Sequence, residues 1–315
     1  MPLTEEQKQH WLEHGFIKIP QCFTKQDADN WTASIWARLG ISPTDKSTWN
    51  SERVNMPGHT VVDVKDFAPK AWDAICELVG GEERVTDWCK GWRDSWIINL
   101  GRPEYKPDDP LDFHSGEQAL LVIPLFSDIR PRGGGTVLCT DGIGLVAKHL
   151  YDHPEGTWPS LASRLGTNPP PPEGGKQWRD WVRDPQLTRA ESFHEATGQA
   201  GDVYLLHPFM LHSASRNLLR EVRIITNPPV SLKEPFNYNR PDGQYSLVEQ
   251  KTLKDLGRPE GLPEWKITRE REMLTPARVQ IQEDMRQKEL ERLKQAGSSV
   301  TKLGNAKPLE SHYPS

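Results

Sequence analysis

Two histidines, an arginine and a glutamate carry the strongest chemical signals in this chain: His114, His212, Arg223 and Glu117. The sharpest segment is Gly201 to Asn217, GDVYLLHPFMLHSASRN. Its apolar VYLL run delivers His207 and then His212, and Arg223 follows His212 by eleven residues. Neutral imidazole is a good ligand for a first-row divalent metal. The planar guanidinium grips a carboxylate through two parallel N–H bonds. A lone histidine near a strand end is more often a hydrogen-bonded core residue than a ligand, and His207 is read that way. For His212 the residues alone leave that reading and a ligand role both open. A second segment, DFHSGEQALL, puts His114 close to Glu117 and Asp112, with Asp108 and Asp109 just upstream. In extended chain, residues two apart share a face and residues three apart do not. Asp112 therefore shares a face with His114, whereas Glu117 needs an irregular turn, which Gly116 permits.

Strands must hold these groups. Short apolar runs bounded by Gly, Pro, Asp or Asn stand at Ser95–Leu100, Ala119–Phe126, Thr136–Cys139, Val203–Leu206 and Val222–Thr226, the pattern of a barrel or sandwich. Helices are expected around them. Thr4 and Gln7 make a capping box ahead of Trp11, with Gly15 as the stop, and FIKIP (Phe16–Pro20) then reads as a strand. Further helices are predicted over Asp27–Leu39, Ala68–Val79, Gly144–Tyr151, Gln177–Arg183, Tyr245–Leu256 and Pro276–Ala296. The last is almost entirely polar and reads as a solvated helix, with a mobile end beyond Gly297. Trp88, Trp92 and Trp96 have helical i, i+4 spacing and read as core or pocket wall. The glycines at 133–135 mark a turn and lack the remainder of a phosphate loop.

The bulk properties exclude several classes. A formal net charge of −5 lacks the basic face of a nucleic-acid binder. No stretch approaches a membrane span, and no signal peptide is readable at the N-terminus. Cys22, Cys76, Cys89 and Cys139 form no CxxC pair, which favours a reducing compartment, with the cytoplasm as default. The expected partner is a small-molecule substrate, with no nucleic acid and no membrane; a homo- or heterodimer stays open.

The opening LTEEQKQHWLEHGFIKIP, the stretch EQALLVIPLFSDIRPRGGGTVL, the His212–Arg223 spacing and NPPVSLKEPF resemble the phytanoyl-CoA dioxygenase-like family of Fe(II)/2-oxoglutarate-dependent oxygenases. The resemblance spans most of residues 1–260, with 261–315 left as a C-terminal helical extension and mobile tail. It implies a mainly β fold with helical support, in which a double-stranded β-helix (jelly-roll, cupin-like) core carries flanking α-helices. It implies Fe(II), 2-oxoglutarate and O2, and hydroxylation or another oxidation of a small organic molecule, with secondary metabolism as one setting. His114, His212 and Glu117 become the metal ligands, and Arg223 holds the far carboxylate of 2-oxoglutarate. Thr136, Ser213, Gln118 and Asn99 become weaker candidates for contact with the cosubstrate. The family's first ligand pair is His-x-Asp or His-x-Glu, and this chain has Gly116 at the carboxylate position in a shortened segment. Three readings stay open: a substitute carboxylate restores an oxygenase, the His-x-Gly motif makes a halogenase, or the metal site is lost and the chain is a non-catalytic pseudoenzyme or partner subunit.

Overall fold

A computed structural model describes residues 2–106, 114, 118–156, 192–269 and 278–309. The chain enters through α1 (Glu5–His14). The Thr4 hydroxyl accepts from the Gln7 amide, and the Gln7 side chain accepts from the Thr4 amide. Gly15, at φ 71°, ends the helix and turns the chain into β1 (Phe16–Ile19). Trp11 is fully buried and its indole N–H donates to the Leu247 carbonyl. The helix expected over 27–39 is two helices, α2 (Lys25–Thr32) and α3 (Ile35–Leu39). The break has a local cause. The Thr32 hydroxyl donates back to the Ala28 carbonyl, and the Ser34 hydroxyl donates across to Val300, so both side chains compete with helical continuation. Helices α4 (Val64–Phe67) and α5 (Pro69–Val79) follow, the latter closed by Gly80.

Short strands make up the body: β2 (Arg53–Asn55), β3 (Thr60–Asp63), β4 (Gly91–Arg93), β5 (Ile97–Asn99), β6 (Leu120–Pro124), β7 (Thr136–Cys139), β8 (Phe193–Glu195), β9 (Val203–Leu206), β10 (Leu211–Ala214), β11 (Arg223–Ile225), β12 (Pro229–Val230) and β13 (Lys307–Pro308). The six strands read from the sequence are all present, as β1, β5, β6, β7, β9 and β11. Every pairing is antiparallel. On one flank β6 pairs with β9, and β9 with β1. On the other, β6 pairs with β12, and the Leu125–Ile225 bridge carries the same register on to β11, which pairs with β5 and through it with β2. One sheet therefore runs β2-β5-β11-β6-β9-β1. A second runs β10-β7-β8, and His114 bridges the free side of β10. A small ribbon, β13-β3-β4, stands apart.

Strand alternation sorts the core into two layers. Leu120, Val122, Val203, Leu205, Ile98 and Ile224 point outward into the core shared with α1 to α5. Leu121, Ile123, Tyr204, Leu206 and Ile225 point inward and pack with Leu138 of the second sheet. Helix α6 (Gly142–Asp152) covers the second sheet's outer face through Val146 against Cys139 and Leu211. Helix α7 (Leu247–Asp255) starts from a Ser246–Glu249 capping box.

Three expectations need correction. Trp88, Trp92 and Trp96 do not share a helix: Trp88 lies in a 3₁₀ turn (Asp87–Lys90), Trp92 on β4 and Trp96 just before β5. Trp92 and Trp96 are buried as expected, while Trp88 is 41% exposed. Helix α8 (Arg278–Ala296) is not solvated all round, because Glu289 and Leu293 are buried. The Glu289 carboxylate accepts from Arg38 and approaches His59, and Arg38 also reaches Asp94. Beyond Gly297 the chain is held as far as residue 309: Lys302 donates to Asn30, and β13 pairs with β3. The helix expected over 177–183 lies outside the described residues.

Candidate metal and carboxylate site

His114 and His212 meet. Each backbone N–H donates to the other's carbonyl, at 3.0 and 2.9 Å. This is the directly opposed, doubly bonded pair of an antiparallel ladder, so both side chains leave the sheet on one face. Their ring centroids lie 4.2 Å apart. His212 is buried, and its Nδ1 stands 2.9 Å from the Met210 carbonyl. A carbonyl only accepts, so Nδ1 carries the proton and Nε2 keeps its lone pair. Burial, reinforced by His114, pushes the His212 pKa down to about 3. The imidazole is therefore neutral at ordinary pH, the form a metal requires.

The face of this pair is the interior one. His212 lies opposite Leu138 in the register, and Leu138 packs into the layer between the sheets. Thr136, two residues before Leu138, shares that face. Ser213 pairs with Val137, and alternation turns it to the opposite face, where its hydroxyl donates to the Ala214 carbonyl. The structure thus brings Thr136 to the histidines' side and leaves Ser213 off it.

Arg223 reaches the same interior from the other sheet. It shares its face with Ile225, which packs beside Leu138. It is 1% exposed. Its Nε donates to Gly134 at 2.8 Å and its Nη1 to Ile97 at 3.1 Å. Among the described residues no carboxylate pairs with it. Burial, and then Arg53, lower its pKa to about 9. A buried cation met, among the described residues, by two carbonyls is costly, and an incoming anion removes that cost.

Asn99 lies directly opposite Arg223, but its amide is committed to backbone: Nδ2 donates to Ser215 and Gly134, and Oδ1 accepts from Gly101. Gln118 is half-buried, and its Oε1 has no hydrogen-bond partner among the described residues. Glu117, Gly116, Asp112, Asp109 and Asp108 lie outside the described residues. Among those described, no group of three His, Cys, Asp or Glu side chains forms a metal cluster. His207 is the core histidine expected: it is fully buried, its Nε2 lies near the Val248 carbonyl and the Thr252 hydroxyl, and its Nδ1 accepts from Phe209.

Two contributors were not read from the sequence. Gly134 supplies the carbonyl that receives Arg223. Its φ is 84°, and a Cβ there would meet the Asn99 amide at 2.7 Å. The three-glycine turn announced this position without its role. Arg53, on β2, also lies opposite Asn99, and nothing in its local sequence points to the site.

No family model and no curated protein matches the chain. Similar solved structures include HygX from Streptomyces hygroscopicus with iron bound, at 13% identity over 74% of this chain and 88% of that chain, with TM-score 0.42. The non-heme alpha ketoglutarate dependent carbocyclase SnoK from nogalamycin biosynthesis is 17% identical over 82% of this chain and 93% of that chain, with TM-score 0.43. EvdO2 from Micromonospora carbonacea var. aurantiaca is 12% identical over 78% of this chain and 98% of that chain, with TM-score 0.39. Likeness at this level carries no argument about chemistry, which rests on the chain's own residues.

Proposed function

We propose that this chain is an Fe(II)/2-oxoglutarate-dependent oxygenase of the phytanoyl-CoA dioxygenase-like kind, acting on a small organic molecule in the cytoplasm. The strand order supports a double-stranded β-helix. Strands β5, β11, β6 and β9 form one four-strand face, and the His114 segment, β10, β7 and β8 form the other. One observation carries the functional reading: a buried guanidinium with no acid partner among the described residues opens onto the same interior as a buried, neutral histidine and its cross-strand neighbour.

The residues fit the groups this reading needs. His114 and His212 would hold Fe(II), with Glu117 proposed as the third ligand. Arg223 would bind the far carboxylate of 2-oxoglutarate, and the Thr136 hydroxyl would add a hydrogen bond. Bound iron would couple O2 and the oxidative decarboxylation of 2-oxoglutarate, to succinate and CO2, to oxidation of the substrate. The protein fixes the His212 tautomer through Met210 and aims Arg223 through Gly134 and Ile97, and Leu121, Ile123 and Leu138 make the interior beside them apolar. Gly116, two residues after His114, keeps the halogenase alternative in play, because a small residue leaves a coordination position for chloride. The test is succinate formation from 2-oxoglutarate in air by the Fe(II)-loaded protein. Wild type should form succinate and His212→Ala should not. Absence of succinate from wild type overturns the proposal in favour of a non-catalytic protein.

A further inference from the structure

Asn99 stands between two arginines. On β5 it faces Arg53 of β2 on one side and Arg223 of β11 on the other, at one register, so all three side chains leave the sheet on the same face. A carboxylate would be the electrostatic choice between two guanidiniums. The chain instead has an amide there, 1% exposed.

That amide ties three segments together. Nδ2 donates to Ser215, just past β10, at 3.1 Å, and more weakly to Gly134, just before β7, at 3.4 Å. Oδ1 accepts from Gly101 at 3.1 Å. The Gly134 carbonyl is the same atom that receives Arg223 Nε at 2.8 Å. The backbone is braced as well. Asn217 donates its side-chain N–H to the Asn99 carbonyl at 2.9 Å and to the carbonyl of Glu221, two residues before Arg223. Both the root of Arg223 and the acceptor that aims its head are thereby referred to Asn99.

We propose that Asn99 is a positioning residue for Arg223: it fixes the Gly134 carbonyl that orients the guanidinium, and by staying uncharged it leaves that guanidinium open to an incoming carboxylate. Asn99 then contacts no cosubstrate itself. The proposal deepens the 2-oxoglutarate reading and rests on it. An aspartate at this position would lose both donors and supply an internal partner for Arg223, competing with the ligand's far carboxylate. A merely structural asparagine would show no such selectivity for the ligand.

Calorimetry on the anaerobic Fe(II)-loaded protein tests this with two probes: 2-oxoglutarate, and 2-oxobutyrate, which keeps the 2-oxo acid but lacks the far carboxylate. Asn99→Asp should weaken 2-oxoglutarate at least about 10-fold, the loss expected for one charge-assisted hydrogen bond. It should leave 2-oxobutyrate within about 2-fold of wild type. Asn99→Ala, which loses the donors without adding a charge, should weaken 2-oxoglutarate by a smaller factor, and it carries the test if the aspartate variant does not fold. Unchanged 2-oxoglutarate affinity in a folded variant, or equal loss for both probes, overturns the positioning role. Wild type that binds 2-oxobutyrate but gains nothing from the far carboxylate overturns both this role and the Arg223 assignment.

Discussion

Replacing Arg223 with methionine should separate a ligand-binding arginine from a structural one. Arg223 is 1% exposed and has no carboxylate partner among the described residues. Its pKa falls from the usual arginine range to about 9. A fall of more than three pH units corresponds to about 5 kcal/mol of penalty on the charged form, at roughly 1.36 kcal/mol per unit. Arg223→Met keeps an unbranched side chain, two atoms shorter, and removes that penalty. It also strips a donor from the Gly134 and Ile97 carbonyls, at about 1–3 kcal/mol each. The ligand-free variant should therefore fall between about 1 kcal/mol less stable and about 3 kcal/mol more stable than wild type. Only wild type should then gain from the cosubstrate. At about 100 times Kd, 2-oxoglutarate should add about 2.7 kcal/mol to wild type, and nothing at that concentration to Arg223→Met. Denaturant titration of both proteins, with Fe(II) under nitrogen and with and without 2-oxoglutarate, reads both quantities. Loss of more than about 3 kcal/mol by the ligand-free variant would make the guanidinium a structural strut. Equal stabilisation of both proteins by 2-oxoglutarate would place the carboxylate elsewhere.

Acid should weaken the fold through His207. Burial lowers its pKa to about 3, so the native state stays neutral while the unfolded chain takes up a proton below about pH 6.5. Stability is therefore lost progressively between about pH 6.5 and 3. His207 accounts for about 1.4 kcal/mol of that loss by pH 5.5; His207→Gln should show a shallower decline in denaturation midpoint than wild type, and equal slopes would refute the assignment. Glu289→Ala leaves Arg38 and His59 buried without their shared carboxylate. It should cost about 3–5 kcal/mol and open α8 to limited proteolysis, whereas a cost below about 1 kcal/mol would mean that α8 docks by apolar contact alone.

The strands were legible because their runs are short, branched and bounded by turn residues, and Thr136–Cys139 and Val203–Leu206 match residue for residue. Caps at Thr4 and Gly15 were legible because capping chemistry is local. The three tryptophans misled because i, i+4 spacing also arises when a 3₁₀ turn, a strand and a short connection follow one another. Polarity hid the docking of α8, since its buried face uses Glu289 against an arginine and a histidine distant in sequence. In the site, the spacing of His212 and Arg223 pointed to a shared interior but not to what aims the arginine. Asn99 looked like a ligand-facing residue, and only the three-dimensional contacts reveal an amide engaged on both sides by backbone.

The central claim is that His114, His212 and Arg223 hold Fe(II) and 2-oxoglutarate together. Anaerobic titration of 2-oxoglutarate into the Fe(II) protein tests it most directly, because chelation of the metal by the 2-oxo acid gives a visible charge-transfer band. We predict a saturable band in wild type, no band in His114→Ala or His212→Ala, and a band in Arg223→Met only at much higher 2-oxoglutarate. A band that moves on adding chloride would select the halogenase form of the claim. No band in wild type, or one that survives loss of His212, would contradict it.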